Sequence, residues 1–151
     1  MTVLVVGVGN RLRRDDGVGP EVADRVARLR SDVDVAEVSG DASALLALWV
    51  DRSLVVVVDA VRTDAPPGTC HRWELRAGSW DGLPPLSPFS THLVGVRDAI
   101  DLASVLGREP ARLVVVGVEV ADVGPGPGLS DPVIAAVPDA VDLVLGCLEP
   151  S

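Results

Sequence analysis

Two carboxylates, of Asp16 and Asp59, and the imidazole of His92 are candidate ligands for a catalytic metal ion. Asp16 lies in the stretch GVGNRLRRDDGVG, directly after a run of Val and Leu. Asp59 follows the apolar run LVVVV, and His92 follows an irregular stretch rich in Gly, Pro and Ser. Two carboxylate oxygens and one imidazole nitrogen suit a divalent ion such as nickel or zinc. Three protein ligands would leave positions open for water or substrate, as in catalytic metal sites.

Each of these residues also has a simpler explanation. Asp16 could stabilise the N-terminus of a following helix, Asp59 could form an Asx turn at the end of a strand, and His92 could be a loop or cap residue. Asp15 is expected to be the solvated or capping member of the acidic pair. His71 is expected to be a half-exposed residue of an edge strand.

The same glycine-rich stretch also permits a nucleotide-binding interpretation. Gly7 and Gly9 match the first two glycines of the dinucleotide-binding pattern GxGxxG, and Glu37 could bind a ribose. However, Leu12 occupies the position of the third glycine, and the acidic pair would repel a pyrophosphate. The match is therefore weak, and dinucleotide binding stays the alternative.

Composition limits the remaining possibilities. The 151 residues predict one domain, residues 1–151, with an aliphatic core, because hydrophobic residues make up 48% and aromatic residues 3%. A net charge of -9 argues against nucleic acid or an anionic membrane as partner. No apolar run reaches membrane-spanning length and Met1 leads straight into a strand, so we expect a cytoplasmic protein. The chain has no lysine, which excludes a P-loop lysine and a Schiff-base lysine.

Hydrophobic periodicity predicts alternating strands and helices. The strands are expected at 3–8, 33–38, 54–58, 70–76 and 113–118, and the helices are expected to begin near Pro20, at Asp41 or Ser43, at Ser90 or Thr91, and around Pro138. This order predicts an α/β three-layer sandwich, with a twisted, mostly parallel sheet of about five strands and helices on both faces. In such sheets ligands bind beyond the carboxyl ends of the strands. Asp16, Asp59 and His92 are placed to meet there.

The sequence resembles the hydrogenase maturation proteases, which trim the C-terminal extension from the large subunit of nickel–iron hydrogenases. The resemblance rests on GVGNRLRRDDGVGP at 7–20, VVVVDAV at 55–61, STH at 90–92 and VGVEVADVGPGPGLSDPV at 116–133. These motifs follow one another in the family's order over most of the chain. The family's fold is likewise an α/β sandwich.

The resemblance implies that Asp16, Asp59 and His92 are both the metal ligands and the catalytic residues. It implies one endoproteolytic cut, made only after the precursor has been loaded with nickel, so that nickel arrives with the precursor and the resting protein holds none. A metal-activated water would attack the scissile carbonyl, and one carboxylate would accept its proton. A serine or cysteine protease mechanism is not expected. A non-catalytic precursor-binding module is the alternative, and a monomer is expected with a dimer left open.

One segment departs from the family pattern. After the second strand the family commonly has an Asp-Gly-Gly-Thr-like segment implicated in engaging the precursor. Here the stretch is SGDAS, so Ser39 stands where the acid usually is and Asp41 follows Gly40. Either Asp41 takes over the acid's role or the protein serves a divergent precursor. We expect Ser39, Gly40 and Asp41 to contribute to substrate recognition.

Overall fold

The computed structural model describes residues 2–76 and 93–149, and side chains are described at 2–75 and 96–149. The expected five strands and four helices are present and alternate as predicted. In chain order they are β1 (Val3–Val8), α1 (Val18–Leu29), β2 (Asp34–Val38), α2 (Ala42–Trp49), β3 (Leu54–Val61), β4 (Cys70–Arg76), α3 (Leu93–Leu106), β5 (Arg112–Glu119) and α4 (Asp131–Leu148). A short 3₁₀ turn, Arg14–Gly17, precedes α1. The predicted caps Ser90 and Thr91 lie outside the described residues.

The five strands form one sheet in the order β2-β1-β3-β5-β4. The first three pairings are parallel, and the edge strand β4 runs antiparallel to β5. In the sheet, β2 lies on one side of β1, and the next strand in the chain, β3, lies on the other side of β1. The strand order therefore reverses between β1 and β3, which is the position where open α/β sheets bind their ligands.

Helices cover both faces of the sheet, as the three-layer prediction required. One core lies under α1 and α4, and the other lies under α2 and α3. All eight residues of β3 are buried, as expected for a central parallel strand. Because side chains alternate along a strand, Val56 and Val58 face the first core whereas Val55 and Val57 face the second.

The structure corrects two predicted boundaries. The helix expected around Pro138 begins at Asp131, because buried residues at helical spacing, from Val133 through Val137 to Val144, run past the exposed proline. The strand expected to stop at position 58 continues to Val61, because β5 pairs with it as far as Glu119.

The two cysteines, Cys70 and Cys147, are free thiols. Cys147 is a buried core residue, and Cys70 is half-buried against the same core. No helix in the described part of the chain is long and apolar enough to cross a bilayer.

Candidate functional site

Buried carboxylates gather at one edge of the sheet. Among the described residues, the buried charged side chains are Asp15, Asp16, Asp59 and Glu119, each no more than 2% exposed. The first two lie in the turn after β1, the third lies in β3 past the end of β1, and the last ends β5. All four therefore lie at the carboxyl edge, where the sequence predicted a ligand site.

Glycine at position 9 allows the chain to fold back after β1. Gly9 has a φ of 149°, and a Cβ atom there would lie 1.9 Å from the carbonyl oxygen of Asp16. Its N–H donates to the carbonyl of Val38 at the end of β2. The next amide, that of Asn10, donates to Oδ2 of Asp16 at 2.9 Å. The turn thus holds the Asp16 carboxylate at the carboxyl end of β1.

A second close approach brings this turn to β3. A Cβ atom at Gly19 would lie 2.4 Å from the carbonyl oxygen of Val58 and 2.5 Å from that of Val8. The start of α1 therefore packs directly on the ends of β1 and β3, and the 3₁₀ turn that carries Asp16 contacts β3. Asp16 and Asp59 are consequently held at the same switch point.

Asp59 lies inside β3 rather than at its end, which corrects the predicted placement. The last pair between β1 and β3 joins Gly7 to Val58, so Asp59 extends past β1 while it still pairs with Gly117 of β5. Its Oδ1 accepts a hydrogen bond from the N–H of Ala60 at 2.8 Å. The carboxylate is fully buried and projects from the face covered by α2 and α3.

The third predicted ligand, His92, lies outside the described residues. Helix α3, which begins at the next residue, packs on the face from which Asp59 projects. Within residues 2–76 and 93–149, no three His, Cys, Asp or Glu side chains form a group able to hold a metal. The three-residue metal site therefore stays a prediction.

Asp15 is not the solvated or capping residue that the sequence predicted. Its carboxylate is fully buried and accepts four hydrogen bonds, from the amides of Ala121, Asp122 and Ser130 and from the hydroxyl of Ser130, at 2.6–2.9 Å. Burial alone would raise the pKa of Asp15, but the hydrogen bonds from Ser130, Asp122 and Ala121 outweigh it and lower the pKa below 3.8. Asp15 thus binds the loop before α4 to the turn that carries Asp16.

Sequence reasoning missed Glu119. Its buried carboxylate accepts hydrogen bonds from the amide of Thr63 at 2.9 Å and from the Thr63 hydroxyl, and it lies 3.0 Å from Nε2 of His71. The His71 ring also stacks on Trp73, with centroids 5.0 Å apart. The signal was an acidic residue at the end of the apolar run LVVVGVE, the same pattern that singled out Asp59.

A groove lies beside the acidic turn, at the carboxyl ends of β1 and β2. We call it the first groove; its volume is about 530 Å³, and its lining includes Gly9, Asn10, Arg11, Glu37 and Ser39. Asn10, which lines this groove, also donates its backbone N–H to the Asp16 carboxylate. The first groove therefore opens beside the turn that carries Asp16.

The predicted recognition segment contributes to this groove in part. Ser39 lines it, Gly40 has a φ of 102°, and Asp41 caps α2 by accepting hydrogen bonds from the amide and the hydroxyl of Ser43. These bonds from Ser43 lower the pKa of the Asp41 carboxyl. The role of the segment in substrate recognition stays a prediction.

The residues of the nucleotide-binding alternative have other partners. The guanidinium of Arg11 donates to both carboxylate oxygens of Glu37, at 3.0 and 3.1 Å, and to Asp24 at 2.8 Å. Gly7 and Gly9 allow close packing against the start of α1 and the 3₁₀ turn. Glu37 thus anchors the loop after β1 to β2, and the glycines serve the acidic turn.

Comparisons with known proteins agree on one family. The family profile of the hydrogenase maturation proteases (HycI) matches residues 20–147. The chain is 30% identical to the coenzyme F420 hydrogenase subunit delta of Methanothermobacter thermautotrophicus, over 95% of this chain and 92% of that protein. It is 29% identical to the hydrogenase 2 maturation protease of Escherichia coli, over 100% and 93% of the two chains. The solved structure of the hydrogenase maturating endopeptidase HybD from E. coli superimposes with a TM-score of 0.83 at 27% identity, covering 98% of this chain and 92% of that one.

Proposed function

The chain belongs to the family of hydrogenase maturation proteases, and from this premise we propose that it removes the C-terminal extension of a nickel–iron hydrogenase large-subunit precursor. The observation that carries the proposal is the pair of buried carboxylates, Asp16 and Asp59, at the point where the strand order reverses. Burying a carboxylate carries a desolvation cost, and buried titratable groups concentrate where a fold binds or transforms a ligand.

Nickel in this proposal is cargo of the precursor. Asp16, Asp59 and His92 would bind it as two oxygen ligands and one nitrogen ligand, a set that suits a divalent ion. The backbone amides of Asn10 and Ala60 orient the two carboxylates before the precursor arrives. Cleavage would then proceed only when the precursor presents nickel in the correct geometry, so that the metal acts as a check on maturation.

The nucleophile in this proposal is water. Bound nickel would supply Lewis acidity, and Asp16 or Asp59 would accept the proton that the attacking water loses. The described residues form no Ser-His-Asp arrangement around His71, because Thr63 Oγ1 at 3.3 Å and Glu119 Oε1 at 3.0 Å both approach the same ring nitrogen, Nε2. In a triad the nucleophile and the carboxylate contact opposite nitrogens.

The proposed function includes further properties that were expected from the sequence. Aspartate-type catalysis, nickel dependence, a cytoplasmic location and a monomeric state belong to it, as does precursor recognition by Ser39, Gly40 and Asp41. Ser39 supports the last point, because it lines the first groove beside the acidic turn.

The test is incubation with a nickel-loaded large-subunit precursor, following the mass of the released peptide. Asp16→Asn and Asp59→Asn should each slow release about 10²-fold or more, because each loses a negative ligand and a proton acceptor. Asp142→Asn is the control, since Asp142 is exposed on α4, away from the carboxyl edge. Both site variants should still bind the precursor, which a failure to fold would prevent.

Two results would contradict the proposal. A nickel-free precursor cut as fast as the loaded one would exclude the nickel check. Precursor binding without release of any peptide by the wild-type protein would favour the non-catalytic alternative.

A further inference from the structure

A second groove lies at the same edge of the sheet, at the carboxyl ends of β3 and β5. Its volume is about 270 Å³, and its lining includes Arg62, Asp64, Ala65, Pro67 and Glu119. It forms because β3 and β5 end in register, with Val61 opposite Glu119, and the chain then diverges into a turn on one side and a loop on the other. We call it the second groove.

Two backbone hydrogen bonds of Glu119, one accepted by its carbonyl and one donated by its amide, fix the wall of the second groove. The amide of Gly68 donates to the Glu119 carbonyl at 2.9 Å, and the amide of Glu119 donates to the Thr69 carbonyl at 2.9 Å. The buried Glu119 carboxylate holds Thr63 at the other end of the same turn and contacts His71. The turn between β3 and β4 is therefore fixed to β5, and the groove is preformed.

The strand order places the two grooves on opposite sides of the acids. The first groove lies at the ends of β2 and β1, and the second groove lies at the ends of β3 and β5. Between them, Asp16 follows β1, and Asp59 lies in the part of β3 that extends past β1. Neighbouring strands lie about 4.8 Å apart, so the three steps from β2 to β5 span about 14 Å. An extended peptide covers this distance with about four residues.

We propose that the second groove binds the precursor chain on the far side of the scissile bond, so that an extended segment crosses the carboxyl edge from one groove to the other. This inference rests on the proposed function and adds a binding site to it. A peptide seated in both grooves would bring the bond between its two halves over Asp16 and Asp59. Precise placement of the reacting bond is a principal source of rate enhancement.

The inference is tested by filling the second groove. Ala65→Trp places a large side chain in the second groove and leaves Asp16 and Asp59 unsubstituted. Ala111→Trp is the matched control, since Ala111 is exposed just before β5, at the amino edge of the sheet. With nickel-loaded precursor, Ala65→Trp should lower kcat/KM about tenfold or more, chiefly through KM, because uniform binding is lost. Ala111→Trp should leave kcat/KM and KM within about twofold of the wild-type values.

A photo-crosslinker tests the same contact without relying on kinetics. p-Benzoylphenylalanine at position 65 should capture the precursor at residues within about five positions of the cut, on one side of it. The same group at position 111 should capture nothing near the cut. Mass spectrometry of the crosslinked peptides identifies the positions.

The outcomes separate this inference from the proposed function. If the wild type releases no peptide from the loaded precursor, the proposed function fails and the inference falls with it. If the wild type and Ala65→Trp cut equally well, or if position 65 crosslinks only remote parts of the precursor, the second groove is not a binding site while the proposed function stands.

Discussion

The carboxylate of Asp15 accepts hydrogen bonds from the backbone amide of Ser130 at 2.6 Å and from its hydroxyl at 2.8 Å, although the two residues are 115 positions apart. With the amides of Ala121 and Asp122, Ser130 surrounds the carboxylate with donors. The acid beside Asp15 in sequence, Asp16, is thereby fixed at the carboxyl edge. The position of Asp16 in the proposed active site thus depends on a contact between the turn after β1 and the loop before α4.

Asp15→Asn should destabilise the protein by about 3 kcal/mol at neutral pH. Hydrogen bonds to a buried charged group are worth about 1.5–3 kcal/mol, and an amide nitrogen in place of one carboxylate oxygen would face donors instead of accepting from them. Urea unfolding measures the change, and Asp142→Asn should alter stability by no more than about 0.5 kcal/mol. A loss below about 1 kcal/mol in Asp15→Asn would show that the buried hydrogen bonds contribute little.

The stability difference between the wild type and Asp15→Asn should depend on pH. The pKa of Asp15 is lowered in the folded state below its ordinary value of 3.8. A lowered folded pKa contributes stability that is fully present above 3.8 and is lost as the pH falls through the folded pKa. Urea unfolding of both proteins from neutral pH down to about pH 2 should therefore show the difference constant at first and then shrinking. A difference that grows on acidification would mean that the pKa is raised instead.

Gly19→Ala should weaken both the fold and the cleavage reaction. The added Cβ atom would lie 2.4 Å from the carbonyl oxygen of Val58 and 2.5 Å from that of Val8, so α1 must move away from the sheet. Overpacking of this kind costs about 1–3 kcal/mol, and the displaced turn would move Asp16 away from Asp59.

Gly146→Ala is the matched control for that prediction. A Cβ atom at Gly146, inside α4, would meet nothing within 4 Å, so alanine should stabilise the helix by up to about 1 kcal/mol. Thermal unfolding should thus shift in opposite directions for the two variants. Equal melting temperatures and undiminished cleavage by Gly19→Ala would contradict the close-packing argument.

Cys70 should react slowly with thiol reagents. Burial raises the pKa of its thiol above 9.0, and the negative charge of Asp139 raises it further. At about pH 8 the thiolate fraction is therefore smaller than in an ordinary cysteine, and alkylation should be slower than in the unfolded chain. Asp139→Asn should speed the labelling of the Cys70 peptide, measured by mass spectrometry, whereas Asp142→Asn should not. Labelling of the native protein at the unfolded rate would contradict the burial of this thiol.

The elements of the fold could largely be predicted because their signals are local. The bounds of β4 at residues 70–76 were predicted correctly, since alternating side chains are followed by a Gly/Pro/Ser stretch. The start of α4 was placed too late because proline is a strong local stop signal. Burial of the helix face from Val133 to Val144 outweighs that signal, and burial is decided by tertiary packing.

The sequence by itself determined that one acid follows β1 and that another follows the apolar run that opens β3, and in parallel sheets such positions meet at one edge. The sequence could not separate Asp15 from Asp16, since both are aspartates in one turn. In the tertiary structure Asp15 binds Ser130, whereas Asp16 lies at the point where the strand order reverses. The tertiary structure likewise paired Glu119 with His71 across two strands. Local sequence patterns predict helices and strands. The role of a buried carboxylate depends instead on which hydrogen-bond donors from distant segments the fold brings to it.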